Sequence, residues 1–403
     1  VVDDAIDDQV PEPPHLFRTH AEGVDLPWSI HRVGTLSAVR RTTIALLLAT
    51  FAAVLGGTWL AWHREAWHRS FRDTQWYVRQ GYVDAGRSRQ QATALAISYR
   101  CHADPVCRAD AVTVFERPAR YEAIFSSRPG YPALLTAAIR LKGDRGVDLV
   151  TFAIALAATG TAALLAFLVG GLSAAPLGAL AFALSPAGYW ASRALSDGLA
   201  RAFVLAALAG ALLVLRGRRT LGLVVMLGSV AALVPVRDSD AVALAGALAV
   251  AGLLVHRGRV LVVAGLAGAA VAFGVVRLLG WPGLMESLQD SYSDHFQRPD
   301  VPDAWSRLLR GQWDLFTTLA VRPLLVAELA AIVLASLWAV RRRPEVAWPA
   351  VLVGLTGPAS LVAHPAASEV SRMLTSLVAP AVVALALAVE LLVSQAWNGR
   401  RSS

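Results

Sequence analysis

Asp73 is the residue best placed for acid–base work. It stands in Phe71-Arg72-Asp73-Thr74-Gln75-Trp76-Tyr77, shortly after an apolar run at 43–61. A carboxylate there sits where lipid head groups meet water. It is either a solvated aspartate beside an aromatic pair or a general base that takes a proton from an attacking hydroxyl. Further along, Arg128 precedes Pro129-Gly130-Tyr131-Pro132, and proline suits the first turn of a helix. Arg128 either snorkels to lipid phosphates in general or grips one particular phosphate. In Arg237-Asp238-Ser239-Asp240, the carboxylates of Asp238 and Asp240 could share one hard cation. A short polar turn between two spans accounts for the same residues. Cys101 and Cys107 are the only cysteines. Outside the cytoplasm they make a candidate disulfide closing a small loop; inside it they would stay reduced. His63 and His68 miss the i,i+4 spacing that would aim both at one metal.

Apolar runs separate these residues and have to position them. Hydrophobic residues make up 56% of the chain and charged ones 16%, too apolar for a soluble domain of this length. Runs of roughly 18 to 22 apolar residues recur, each able to cross about 30 Å of hydrocarbon. They are apolar all round, as lipid-embedded helices must be. The expected fold is an all-α polytopic membrane protein of about ten transmembrane helices. These lie at 43–61, 147–169, 173–190, 196–215, 220–236, 241–255, 260–280, 319–340, 346–363 and 373–396. Residues 1–41 read as a cytoplasmic tail, 42–396 as the transmembrane domain and 397–403 as a second cytoplasmic tail. No short cleavable signal precedes the first run, which is expected to act as an uncleaved signal-anchor. The net charge of +8 does not point to nucleic acid, because the arginines sit in short clusters between runs.

Those clusters set the orientation. Arg40-Arg41, Arg216-Gly217-Arg218-Arg219, His256-Arg257-Gly258-Arg259, Arg341-Arg342-Arg343 and Arg400-Arg401 all fall in the cytoplasm only if 131–141 does not cross. That stretch is too short to span and reads as a juxtamembrane helix at the outer surface. Segment 63–146 is then a long first outer loop. Further outer loops lie at 191–195, 237–240, 281–318 and 364–372. Together they hold Asp73, Arg128, Arg193, Arg237, Asp238, Asp240, Asp294, His364, Glu369 and Arg372. Loop 281–318 mixes Trp281, Tyr292, Phe296, Trp305 and Trp313 with Asp294, His295, Arg298 and Arg310. It reads as interfacial helix, or as a lid or acceptor groove. Glu328, inside a span, either pairs with Arg322 or faces a tunnel. A transporter or flippase of lipid-linked intermediates needs ionisable groups near the midplane, and few are present. A non-catalytic membrane scaffold stays open.

The pattern of an early outer-loop acid, Asp73, followed by Arg128-Pro129-Gly130-Tyr131-Pro132 resembles the GT-C superfamily of integral-membrane glycosyltransferases. Two further stretches resemble that family's outer turns. One is Leu184-Ser185-Pro186-Ala187-Gly188-Tyr189-Trp190 with Arg193-Ala194-Leu195-Ser196-Asp197-Gly198-Leu199. The other is His364-Pro365 followed by Glu369-Val370-Ser371-Arg372-Met373-Leu374. The resemblance implies an inverting transfer of sugar from a polyprenyl phosphate to an extracytoplasmic glycan, lipid or protein. It places the protein in the plasma membrane with both termini cytoplasmic. Asp73 is expected as general base, and Arg372, Arg237 and Arg128, in that order, as ligands of the donor phosphate. Trp76, Tyr77, Arg193, Asp197, His364 and Glu369 are expected to line the substrates. Such a donor needs no metal and no other cofactor. No Gly-rich phosphate loop for a nucleotide sugar is present.

Overall fold

The computed structural model describes residues 36–63, 71–363 and 370–402. Residues 1–35 of the expected N-terminal tail, His68, His364 and Glu369 lie outside the described residues, and 36–41 of that tail are helical. The chain divides into Val1–Thr42 and Thr43–Ser403, and the architecture below is that of the second unit.

Helix is the only regular structure among the described residues. The first apolar run forms α1 (Leu36–His63). Between it and the next long helix come α2 (Arg72–Asp84), α3 (Arg89–Cys101), α4 (Pro105–Phe115), α5 (Ala119–Ser126) and α6 (Gly130–Lys142). Then follow α7 (Arg145–Gly170), α8 (Ala175–Leu184), α9 (Pro186–Ala191), α10 (Ser196–Leu215), α11 (Arg219–Leu233), α12 (Asp238–Leu254) and α13 (Arg259–Leu278). The chain ends with α14 (Leu284–Tyr292), α15 (Ala304–Ala320), α16 (Pro323–Arg342), α17 (Pro344–Gly354), α18 (Thr356–Ala363), α19 (Val370–Met373), a 3-10 turn at Leu374–Leu377 and α20 (Val378–Ser402).

Six helical segments among the described residues are long and apolar enough to cross a membrane: Arg41–His63, Arg145–Gly170, Ser196–Leu215, Arg259–Leu278, Pro323–Arg342 and Val370–Ala396. The expected count of about ten is not confirmed: in the other apolar runs the backbone interrupts or shortens the helix, which hydropathy does not weigh. Run 173–190 breaks at Ser185, whose extended backbone precedes Pro186 and whose Oγ caps the Ala187 N–H at 3.1 Å. Proline disfavours helical backbone in the residue before it. Run 346–363 is divided between α17 and α18. Run 220–236 yields only 15 helical residues in α11, about 23 Å of rise against about 30 Å of hydrocarbon. Run 241–255 gives 17 residues in α12. Glu328 lies exposed on α16, so of its two readings the buried pair with Arg322 does not form.

The most buried helix is α10, held by small residues more than by large ones. A Cβ built on Gly210 would lie 2.6 Å from the Met226 amide, and one on Gly222 would lie 2.6 Å from the Gly210 carbonyl. The backbones of α10 and α11 thus touch. Glycine and alanine permit this approach where lipid offers no hydrophobic driving force between helices and dispersion must hold them together.

The stretch 131–141 does not make a span. It folds as the 13-residue α6, with Leu135 and Ile139 against Gly81 of α2 and Thr136 donating to the Gly81 carbonyl at 3.3 Å. Cys101 and Cys107 are disulfide-bonded across the turn between α3 and α4. Asp110 of α4 ties the neighbouring helices together. It accepts from Arg72 and from the buried Arg100, each at 2.7 Å, and Arg100 also donates to Gln75 at 2.7 Å. Burial works against the Asp110 charge, but the two arginines outweigh it and hold the carboxyl below the usual carboxylate range. A pKa depressed by folding contributes stability above the unfolded value of about 4, lost as pH falls through the folded value. Tm of the wild type should therefore exceed that of Asp110→Asn at neutral pH, and the gap should close below about pH 4.

Candidate functional site

Four elements distant in sequence meet at one end of the helices. Asp73 occupies the first turn of α2, Asp197 that of α10, and Asp238 and Asp240 that of α12. Helix N-termini favour negative charge because their free N–H groups carry the positive end of the dipole. Each acid thus has a local reason for its position, and the arginines then join them.

Arg372, in α19, is the centre of the arrangement. Its Nε and Nη2 donate to the two oxygens of Asp197 at 3.1 and 2.9 Å, while Nη1 donates to Asp73 Oδ2 at 2.8 Å. The fork of a guanidinium matches a carboxylate in this way. Asp197 also accepts from Arg237 Nη1 at 2.7 Å. Arg237 Nε lies 3.3 Å from Asp240 Oδ2 without a hydrogen bond to it, and Asp240 accepts from Arg201 at 2.6 Å. The order is Asp73, Arg372, Asp197, Arg237, Asp240, Arg201: acids and bases alternating, charge balanced. Asp197 is 2% exposed and Arg372 5%, whereas Asp73 keeps 20%. Asp73 is therefore the member of this chain open to an incoming molecule.

Aromatic rings enclose the open end. Phe71 and Trp190 meet edge to face at 4.7 Å, and the Arg372 guanidinium lies 5.6 and 5.8 Å from their centres. Trp190 Nε1 donates to Ser371 at 3.4 Å. Cation–π contacts of this kind stabilise a guanidinium removed from water.

One further arginine, Arg128, stands beside Arg237 of the chain. Arg128 is half-buried, and its Nε has no hydrogen-bond partner among the described residues. Burial and the nearby Arg237 oppose its charge, but Tyr77 and Asp238 outweigh them and keep its pKa above the ordinary guanidinium value. Arg237, disfavoured by burial, is likewise held above that value by Asp240 and Asp197. The turns bearing them are locked together: the Gly130 N–H donates to the Pro235 carbonyl at 2.8 Å. A Cβ at position 130 would come 2.8 Å from Val236 and 3.0 Å from that carbonyl, so only glycine fits. Arg193 is buried with its guanidinium 4.0 Å above the Tyr189 ring.

Of the residues expected to act together, the structure joins Asp73, Asp197, Arg237 and Arg372 directly and sets Arg128 beside them. Trp76 and Tyr77 are in the core and do not line an open surface. Trp76 stacks on Phe125 at 5.5 Å, and the Tyr77 hydroxyl lies 3.2 Å from Ser196 Oγ, next to Asp197. Asp240 serves two arginines and is not shared in a site with Asp238. No group of three potential metal ligands occurs among the described residues. Arg201 is a member that sequence reasoning missed. Its signal was a charge inside an apolar span, one helical turn after Asp197. Comparison with protein-family models, curated proteins and solved structures finds no significant match.

Proposed function

We propose that the chain is an integral-membrane glycosyltransferase of the GT-C kind that moves a sugar from a polyprenyl phosphate to an acceptor hydroxyl outside the cytoplasm. The observation that carries this reading is the 2.8 Å contact between the half-open Asp73 carboxylate and Arg372. Beside it, Nε donors on Arg128 and Arg237 have no acceptor among the described residues. Buried donors without partners cost free energy, and an anion seated among them would offset that cost.

The chemistry follows from these parts. Asp73 takes the acceptor's hydroxyl proton as its oxygen attacks the anomeric carbon from the face opposite the phosphate. The bond from that carbon to the phosphate oxygen breaks, the configuration inverts, and the polyprenyl phosphate leaves with its charge held by arginines. A leaving phosphate needs charge stabilisation more than a proton, which suits a site of guanidinium groups. Donor phosphate and Asp73 compete for Arg372 Nη1. A phosphate that takes it leaves the carboxylate free to accept a proton, so donor binding prepares the base.

The test uses the purified full chain in liposomes with polyprenyl-phosphate-linked pentoses and hexoses as donors and methyl glycosides of disaccharides as acceptors. Release of polyprenyl phosphate with a product of inverted anomeric configuration is the expected result. If no donor is cleaved, or lipid crosses the bilayer with its sugar bond intact, the reading is discarded for a scaffold or a flippase.

A further inference from the structure

Helix α15 divides its surface three ways. Leu308 and Leu315 face the protein and are buried, while Ser306, Arg310 and Thr317 lie along an exposed polar strip. Between them run Trp305, Leu309, Trp313 and Phe316, whose spacing sets them on one helical face. These four are 53–73% exposed. Large apolar side chains are costly to leave in water, and four along one face make a contiguous patch that marks a contact surface.

The patch does not stop where the helix ends. Val321 and Leu324 are 77% and 86% exposed. They lead into α16, which is long and apolar enough to cross a membrane and is hardly buried inside the protein. Apolar side chains left open on such a span face lipid. The stripe on α15 therefore runs into a lipid-facing surface. Tryptophan beside the end of a span settles at head-group level, where its ring can be partly in lipid and partly in water. Arg310, on the polar strip, is placed to reach lipid phosphates from that depth.

The inner face of α15 holds the candidate site. Leu315 is buried in one cluster with Leu361 of α18 and Val370, and Leu319 and Met373 pack against that cluster. Val370 and Met373 belong to α19, the short helix that carries Arg372. Gln312 Nε2 adds a polar tie, donating to the Leu361 carbonyl at 3.1 Å. One face of α15 thus grips the Arg372 turn while the neighbouring face is left for lipid.

We propose that α15 is seated in the bilayer surface by Trp305, Leu309, Trp313 and Phe316, and braces the Arg372 turn at the depth of the lipid phosphates. The chain's two cysteines are bonded to each other, so an introduced cysteine takes a bimane label alone. In nanodiscs of brominated phosphatidylcholine, labels on Leu309→Cys and Phe316→Cys should lose most of their fluorescence. Aqueous iodide should hardly affect them. Labels on Ser306→Cys and Thr317→Cys should respond the other way. Iodide quenching at all four positions overturns the seating. Shielding of 309 and 316 from both quenchers overturns it too, and gives the face to a second copy of the chain. Trypsin reads the bracing, because Arg372 is 5% exposed. The charges in Leu309→Glu/Trp313→Glu should raise cleavage after Arg372 about tenfold, as the turn opens more often. Ser306→Glu/Thr317→Glu, with the same charges on the polar strip, should match the wild type. Cleavage after the buried Arg201 reports general unfolding, and the milder Leu309→Ser/Trp313→Ser replaces the first variant if that cleavage rises. Unchanged cleavage after Arg372 in the lipid-face variant, or equal cleavage in both, overturns the bracing. Neither readout requires sugar transfer, so failure here leaves the glycosyltransferase reading standing, and failure of transfer leaves the seating standing.

Discussion

Asp73→Asn should lower sugar transfer by about 10²- to 10⁴-fold, the usual contribution of a positioned general base. Folding should hardly change. The amide oxygen of asparagine can still accept from Arg372 Nη1, and Arg372 keeps both bonds to Asp197. With 20% of its surface open, Asp73 has little desolvation cost to recover, and the change in stability should stay near 1 kcal/mol. Single-turnover transfer and thermal unfolding on the same preparation check this. A variant that unfolds, or that transfers at the wild-type rate, removes Asp73 from the role of base.

Arg372→Ala should do the opposite and damage both properties. It removes three hydrogen bonds at once and leaves the buried Asp197 with Arg237 as its remaining hydrogen-bond partner among the described residues. Breaking a buried ion pair from one side costs about 3–5 kcal/mol, because the surviving charge has lost its compensation. The second Asp197 contact should keep the loss toward the lower end. Adding Asp197→Asn to Arg372→Ala removes the stranded charge and should restore much of the stability. Transfer should remain absent in the double variant. Full recovery of activity there would mean that Arg372 only neutralises Asp197 and has no part in donor binding.

Much of this site could be read before the fold. Asp73, Arg237 and Arg372 stood out because charge is conspicuous between apolar runs, and runs force their connecting turns to the ends of helices. Asp197 was read as one substrate contact among several, yet it is the acid that joins two arginines. Which acid faces which arginine depends on helix rotation, and hydropathy carries no information on that. Arg201 escaped for a related reason: inside a span, a single charge looks like an exception until its partner Asp240 is seen on the next helix but one. Which apolar runs form long unbroken helices also outran the sequence. Apolar length was legible, but the break at Ser185-Pro186 and the 15-residue length of α11 are decided by backbone continuity. Trp76 and Tyr77 are expected at the substrates, three and four residues after Asp73. Packing of α5 and α6 over α2 put them inside.

The alternating chain of charges also has a consequence for biosynthesis. A ribosome releases Asp73 first and Arg372 last, 299 positions apart in sequence. Asp197, Arg201, Arg237 and Asp240 leave it in between and can pair among themselves while the growing chain is still being inserted. Asp73 and Arg372 meet only once the segment bearing Arg372 has been made, so the contact at the open end of the charge chain forms after its other members are in place.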